Sequence, residues 1–190
     1  MGSFDERAGR RTILKAGIGL GISACFASEA AAQDNPAAAR PKEGDFLVKA
    51  GDTTNTPLTP GDVTTGAKQI FGWAMDPTDK TVRSGSRLNR VLLVRLDPDK
   101  LAEFTKARSV DGIVAYSSIC PHNGCDVNEW VAPEQALFCA CHASKFEPKD
   151  AGKVLDGPSP GPLPALPLKV VDGKLVVAKP FTSRITFEVG

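Results

Sequence analysis

Short apolar runs alternate with turn-forming residues along most of this chain. Four runs have the length and the β-branched or aromatic content of strands: Phe46 to Lys49, Gln69 to Ala74, Arg90 to Leu96 and Ile113 to Tyr116. Clusters of Gly, Pro, Asp and Thr separate them and indicate turns. Many short strands with little helix predict an all-β fold, an antiparallel β-sandwich or small barrel.

Three further elements follow from local signals. The segment 168–179, LKVVDGKLVVAK, predicts a β-hairpin, because two β-branched runs flank Asp172-Gly173 and a two-residue turn needs positive φ at both positions. One short helix is predicted over Pro98 to Lys106, with Asp97 as its cap. The tail, residues 182–189, is expected to add a last strand.

Length and charge limit the possible functions. The chain has 190 residues, 42% of them hydrophobic, which is enough for one domain with a real core plus a leader. Beyond residue 32 the charges balance, with 19 basic and 19 acidic side chains. A neutral domain gives no reason to expect a nucleic-acid partner.

Residues 1–32 have the pattern of an export signal. Paired arginines in GRRTILK (9–15) precede an apolar run too short to span a bilayer comfortably, and the alanines at 30–32 form a small-residue cleavage signature. The arginine pair resembles a twin-arginine signal, although Gly9 and Ile13 differ from the usual motif. We expect periplasmic export of a folded, cofactor-loaded protein. A general secretory signal and an uncleaved leader that holds the protein at the membrane are the alternatives.

The remaining chain divides in two. Residues 33–44 are rich in Ala and Pro, lack periodicity and predict a flexible lead-in. Residues 45–190 then form the folded domain.

The chemistry concentrates between residues 120 and 142. This window holds both histidines and four of the five cysteines, in two blocks: Cys120-x-His122-x2-Cys125, and Cys139-x-Cys141-His142. Each block follows a strand-like run, so each is expected at the tip of a loop. Two such loops could bring one Cys/His pair each to a common metal centre.

This pattern resembles the Rieske [2Fe-2S] proteins over about residues 110–180. The resemblance implies one cluster per chain, bound within about residues 117–165. By position, one iron would be held by Cys120 and Cys139, the other by His122 and His142, and a disulfide would join Cys125 to Cys141.

The charges of such a centre explain its redox range. Two ferric irons, two sulfides and two thiolates sum to zero, whereas four thiolates would leave a net negative cluster. Because an electron enters a neutral centre more easily, Rieske potentials lie at roughly −150 to +300 mV, above those of plant-type ferredoxins. The free nitrogen of a ligand histidine can also titrate and couple electron to proton uptake.

The resemblance assigns tuning roles to residues around the blocks. Ser144 matches a serine whose hydroxyl bonds a bridging sulfide, and Phe146 stands where many members have Tyr, so one donor is missing and a lower potential is expected. Gly157, Pro158 and Pro160 belong to a segment like the proline loop that covers the cluster.

Two other sites use the same residue types. A structural zinc site is one alternative, and it would make the chain a zinc-stabilised binding module. Six candidate ligands exceed the four that a closed zinc site needs. Two plain disulfides are the other alternative, and they leave both histidines unexplained.

Two classes of Rieske protein are compatible with the implied disulfide. One is the small subunit of a molybdenum oxidoreductase such as arsenite oxidase, and the other is the quinol-oxidising subunit of a cytochrome bc complex. Asn123, where the bc family usually has Leu, favours the first class, whereas the proline loop is of the bc kind. The expected partners are a molybdenum-containing large subunit or a cytochrome b-type complex, with a cytochrome c type acceptor. The chain is not expected to carry a substrate-transforming site of its own.

Overall fold

A computed structural model describes residues 35–187, so the predicted leader lies outside the described residues. Within that range the protein is almost entirely β-structure, with one four-residue helix, α1 (Glu103–Lys106). The strands are β1 (Phe46–Lys49), β2 (Ile70–Met75), β3 (Val91–Arg95), β4 (Ile113–Ser117), β5 (Glu129–Val131), β6 (Ala136–Cys139), β7 (Ser144–Glu147), β8 (Lys153–Asp156), β9 (Leu168–Val171) and β10 (Lys174–Val177). The predicted all-β fold class is confirmed.

The strands form two antiparallel sheets. The large sheet has six strands in the order β4-β3-β2-β1-β10-β9, and the small sheet has four in the order β5-β6-β7-β8. All four strands of the small sheet lie in the chain between β4 and β9. The small sheet is therefore an insertion into the large one, and it contains the second Cys/His block.

The large sheet curls so that its two edges approach each other. The segment just before β9 runs along the edge strand β4, where the Ser117 amide donates to the Pro164 carbonyl at 2.8 Å and the Leu166 amide donates to the Ala115 carbonyl at 2.9 Å. These bonds satisfy part of the open edge of β4 and give the sheet its barrel-like curvature.

Two hydrophobic cores lie on opposite faces of β3 and β4. Because side chains alternate along a strand, Leu93 and Ala115 point into the core enclosed by the large sheet, while Leu92 and Tyr116 point into the core shared with the small sheet. Burial on both faces explains why these strands are continuous apolar runs. The shared core also contains Cys120 and Cys139, so the candidate ligands are anchored in packed structure.

The predicted hairpin is confirmed, and the predicted helix is interrupted. Asp172 and Gly173 have φ values of 51° and 72°, as the two-residue turn requires. Asp97 caps a 3-10 turn, Pro98–Lys100, by accepting from the Asp99 amide at 3.1 Å. Leu101 then becomes extended, and α1 starts again at Glu103.

The two terminal segments differ from the expectations. From Asn35 onward the lead-in is held against the domain, since the Asn89 side chain donates to the Ala39 carbonyl at 2.7 Å and the Gly85 amide donates to the Ala37 carbonyl at 2.8 Å. In the tail the expected last strand is wrong for residues 182–187, which are irregular. Across residues 35–187, helices of the length and apolar character needed to cross a bilayer are absent.

Candidate metal centre

The first loop, residues 118–127, is a narrow turn closed by backbone hydrogen bonds. The Val127 amide donates to the Ser118 carbonyl at 2.8 Å, and the Cys120 amide donates to the Cys125 carbonyl at 2.8 Å. At the tip the Gly124 amide donates to the Cys120 carbonyl at 3.0 Å, and Gly124 has a φ of 71°. These bonds place His122 at the tip between the two cysteines.

The second loop, residues 139–144, is the hairpin connection between β6 and β7. Cys139 ends β6 directly opposite Ser144, the first residue of β7, so four residues make the turn. Ala143 has a φ of 59°, which closes the turn at some local strain. Gly157 packs closely against the end of this turn. A Cβ at this position would lie 2.5 Å from the Ser144 Cα.

The two loops bring together the four donors that the sequence predicts. Cys120 and Cys139 are buried, with 1% of each exposed. The imidazole rings of His122 and His142 meet edge to face with centroids 4.7 Å apart, and His142 is exposed while His122 is half-buried. The two thiols are therefore buried, the His142 ring faces solvent and the His122 ring is half-buried.

Burial affects the pKa of the Cys139 thiol. It raises the pKa of the Cys139 thiol to about 11, and the neighbouring Cys120 thiol adds to the rise. Because a buried thiolate without a cation is costly, the Cys139 thiol would stay protonated near neutral pH until a metal displaces its proton.

A disulfide between Cys125 and Cys141 ties the two loops together, and these are the cysteines that the resemblance pairs. It also removes both sulfurs from any metal site. Their sulfur atoms and that of Cys139 lie within 4.8 Å of one another, so the disulfide is part of the wall of the site.

Two orphaned buried atoms test whether the site suits a [2Fe-2S] cluster. His122 Nδ1 and Ser144 Oγ are buried and have no hydrogen-bond partner among the described residues. Gln69 and Trp130, elsewhere in the fold, also carry such atoms. A ring nitrogen ready to bind iron and a hydroxyl ready to donate to a sulfide account for both orphans in the site, so the residues present suit the cluster.

The remaining predicted tuning residues surround the second loop. Phe146 is fully buried in the shared core, next to Leu137 on the neighbouring strand. Gly157 starts the proline loop, and Pro158 and Pro160 are exposed along it. The proline loop therefore lies beside the second loop and is open to solvent.

Sequence reasoning missed the residues that hold the first loop to the large sheet. The Arg90 guanidinium pairs with Asp126 at 3.2 Å and its Nε donates to Ser118 Oγ at 3.1 Å. Arg87 pairs with the same carboxylate at 3.5 Å and donates to the Gly124 carbonyl. Only an alignment of related sequences could have signalled these pairs, because their members lie far apart in the chain.

Comparison with known proteins points to one family. The model of the Rieske [2Fe-2S] domain matches residues 79–167. The cytochrome bc1 complex Rieske iron-sulfur subunit of Streptomyces lividans is 32% identical over 132 residues, which are 68% of this chain and 76% of that protein.

Two further comparisons cover other members. A putative respiratory nitrate reductase subunit Rieske of Haloferax mediterranei is 35% identical over 105 residues, 54% of this chain and 47% of that protein. The soluble domain of the Rieske protein II of Sulfolobus acidocaldarius aligns with 20% identity and a TM-score of 0.46, over 75% of this chain and 83% of that one. The chain thus spans less than half the length of the Haloferax relative.

Proposed function

This chain belongs to the Rieske [2Fe-2S] family, and from that premise we propose that it relays single electrons as the small subunit of an exported respiratory oxidoreductase. It is an iron-sulfur electron-transfer protein whose cofactor is a [2Fe-2S] cluster. The proposal concerns the ligands, the complex and the compartment.

The proposed ligands are Cys120 and Cys139 for one iron and His122 and His142 for the other. The observation that carries this assignment is the convergence of two disulfide-linked loops with thiols inside and imidazoles outside. When bound, the cluster supplies one-electron chemistry. The thiols bind its inner side and the packed core around them excludes water, while the exposed imidazole of His142 offers a redox partner a contact point.

The proposed complex is a molybdenum oxidoreductase of the arsenite-oxidase kind, with a cytochrome c type acceptor. Asn123 supports it, because this residue is polar and exposed beside His122, where the resemblance places a Leu in quinol-oxidising subunits. Phe146 also supports it, because it brings no hydroxyl to the centre.

A second candidate is the quinol-oxidising subunit of a cytochrome bc complex. Two observations favour it: the Streptomyces relative carries that description, and the proline loop is of the bc kind. The description of the Haloferax relative, a putative respiratory nitrate reductase subunit Rieske, supports a place for this chain in a respiratory enzyme of another kind.

The cluster itself is tested on the exported protein. We expect iron and acid-labile sulfide in equal amounts, two of each per chain, and an electron paramagnetic resonance signal that appears on reduction. Protein purified under anaerobic conditions with zinc in place of iron and no sulfide would overturn the proposal.

The complex is tested by purifying the tagged full chain from its native membranes and soluble fractions. We expect the oxidised, fluorescent form of a molybdopterin to co-purify with it. Co-purifying b-type haem without molybdopterin would instead establish the second candidate.

The compartment and the domain bounds complete the proposal. We propose that residues 1–32 direct twin-arginine export to the periplasm, that residues 33–44 link the leader to the domain, and that residues 45–190 form the Rieske domain. Replacing Arg10 and Arg11 with Lys should leave loaded protein in the cytoplasm, whereas periplasmic accumulation of the altered chain would contradict twin-arginine export.

A further inference from the structure

Gly124, at the tip of the first loop, is contacted by two parts of the chain that are far away in sequence. Arg87, in the 3-10 turn Arg87–Asn89 before β3, donates from its guanidinium to the Gly124 carbonyl. The same guanidinium pairs with Asp126 at 3.5 Å. The 3-10 turn before β3 therefore holds the loop tip through one side chain.

The second contact comes from the C-terminal tail. The ring of Phe187 lies against the face of Gly124, where a Cβ would come within 2.9 Å of the ring carbons. With a φ of 71° and this close approach, a residue with a side chain would be strained and would displace the ring. Gly124 thus lies between a guanidinium on its carbonyl and an aromatic ring on its face.

The course of the tail explains how Phe187 reaches the loop. Thr182 fixes the start of the segment, because its amide donates to the Ala165 carbonyl at 2.9 Å and its Oγ1 accepts from the Ala165 amide at 3.0 Å. Residues 183–187 then pass the proline loop and Pro121, with a shallow groove between them and Pro160. Backbone hydrogen bonds from residues 183–187 are absent in the described structure, and the Phe187 ring is where this segment packs against Gly124.

The tip of the first loop needs such support more than its base does. Arg90 and backbone bonds secure residues 118, 120, 125 and 126. In the described structure, residues 121–124 make one backbone–backbone hydrogen bond, from the Gly124 amide to the Cys120 carbonyl. His122 lies in this weakly bonded stretch. Fixing Gly124 restricts the backbone on both sides, toward His122 and toward Cys125.

We propose that Arg87 and Phe187 are positioning residues that clamp Gly124 and thereby hold His122 in place for the cluster. The clamp acts through the loop backbone, and neither residue contacts the centre itself. This proposal rests on the proposed function, in which His122 is a ligand of the cluster.

Two truncations of the full chain isolate the aromatic contact. One ends at Phe187 and removes residues 188–190, and the other ends at Thr186 and removes the ring as well. We expect the shorter chain to lose iron to a chelator several-fold faster and to give a broader resonance signal, because His122 samples more orientations. Equal rates and equal line shapes for the two chains would overturn the role of Phe187.

The guanidinium contact of Arg87 has a matched control in Arg95, an arginine near the same strand. Arg95, at the opposite end of β3, also donates to backbone carbonyls, those of Asp111 and Pro60, but lies away from the loops. Arg87→Gln should broaden the signal and speed iron loss, Arg87→Lys should restore part of both, and Arg95→Gln should leave both unchanged. If Arg87→Gln and Arg95→Gln have the same effect, Arg87 has no positioning role.

Hydrogen exchange of the cluster-free protein separates this inference from the proposed function. Peptides covering residues 119–127 should exchange faster in Arg87→Gln and in the chain ending at Thr186, whereas the second loop should not change. If these two variants exchange faster and the unaltered chain proves unable to bind a cluster, the clamp is supported and the proposed function is refuted. Normal cluster content with unchanged exchange would refute the clamp alone.

Discussion

The two loops of the candidate centre are supported in different ways. The second loop is a strand connection inside the small sheet, and its geometry comes from the paired ends of β6 and β7, a positive φ at Ala143 and the close approach of Gly157. The first loop is also held by side chains that are distant in the chain: Arg87 and Arg90, which directly precede β3, and Phe187 in the tail.

The two loops differ in whether nearby or distant residues in the sequence determine their conformation. The backbone of the second loop is fixed by residues within about twenty positions, so its shape belongs to the small sheet alone. The first loop has local backbone bonds of its own, but its side-chain attachments form only when the segment before β3 and the tail are folded around it. The disulfide couples the two kinds of support, because it joins Cys125 in one loop to Cys141 in the other.

Removing one donor from either loop should have the largest effect. In the proposed assignment each loop supplies one thiol and one imidazole, so neither loop can hold both irons. Cys120→Ser and Cys139→Ser should therefore each leave little or no iron and sulfide. Iron and sulfide assays on purified protein check this. Cys25→Ser, in the leader, is the matched control and should load normally. A fully loaded Cys139→Ser chain would show that the second loop does not bind the cluster through this thiol.

Gly157→Ala should damage the second loop alone. The new Cβ would lie 2.5 Å from the Ser144 Cα at a residue with a φ of +88°. Strain at such a φ costs about 1–3 kcal/mol and overpacking adds roughly 1–3 kcal/mol, so we expect a loss of about 2–6 kcal/mol in the free energy of unfolding. Chemical denaturation measures it.

Gly161→Ala is the matched control for that substitution. It lies in the same proline loop, and a Cβ there has nothing within 4 Å. Stability within experimental error of the unaltered chain is expected. If both variants lose the same free energy of unfolding, the loss comes from a change in the proline loop and not from the contact with Ser144.

Breaking the disulfide should have a somewhat smaller effect, shared by the two loops. Its cysteines are 16 residues apart in the chain. A loop of about 15 residues corresponds to roughly 3 kcal/mol of stabilisation through the unfolded state. Cys125→Ser combined with Cys141→Ser should therefore lower the free energy of unfolding by about that amount and speed iron loss to a chelator. Unchanged stability and unchanged iron loss would remove the disulfide from the account of loop support.

The sequence predicts those parts of the fold whose signals are local. Long apolar runs such as Val91–Arg95 and the Asp172-Gly173 turn are recognisable because burial on both faces or turn chemistry determines the residues used. The strands β5, β7 and β8 were not predicted, because each has three or four residues, many of them polar. Their pairing depends on the small sheet as a whole, since β5 and β7 pair with β6 and β8 pairs with β7.

The same distinction applies to the candidate site. The donors were predicted because Cys and His are rare here and their spacing is specific. Arg87, Asp126 and Phe187 are ordinary residues until the fold brings them to one loop, so their role depends on long-range packing that a single sequence does not display.

Ser144→Ala should have the smallest effect on stability, and its sign should depend on the cluster. In the cluster-free protein the Ser144 hydroxyl is buried without a partner, so its removal should leave stability unchanged or raise it by about 1 kcal/mol. In the loaded protein the hydroxyl can donate to a bridging sulfide, and this bond strengthens when the cluster gains an electron. A hydrogen bond to a charged group contributes about 1.5–3 kcal/mol, which sets an upper limit of roughly 60–130 mV on the expected fall in midpoint potential.

Ser118→Ala provides the control in the first loop for this comparison. Ser118 is also buried, but its hydroxyl already accepts from Arg90 at 3.1 Å, so its loss should destabilise the cluster-free protein and shift the potential little. Denaturation of the cluster-free chains and redox titration of the loaded ones give the two readouts. Since Ser118 is already bonded by Arg90 whereas the Ser144 hydroxyl has no partner in the described structure, the two substitutions should affect opposite readouts. A fall in potential with Ser118→Ala and none with Ser144→Ala would reverse the roles assigned to the two loops.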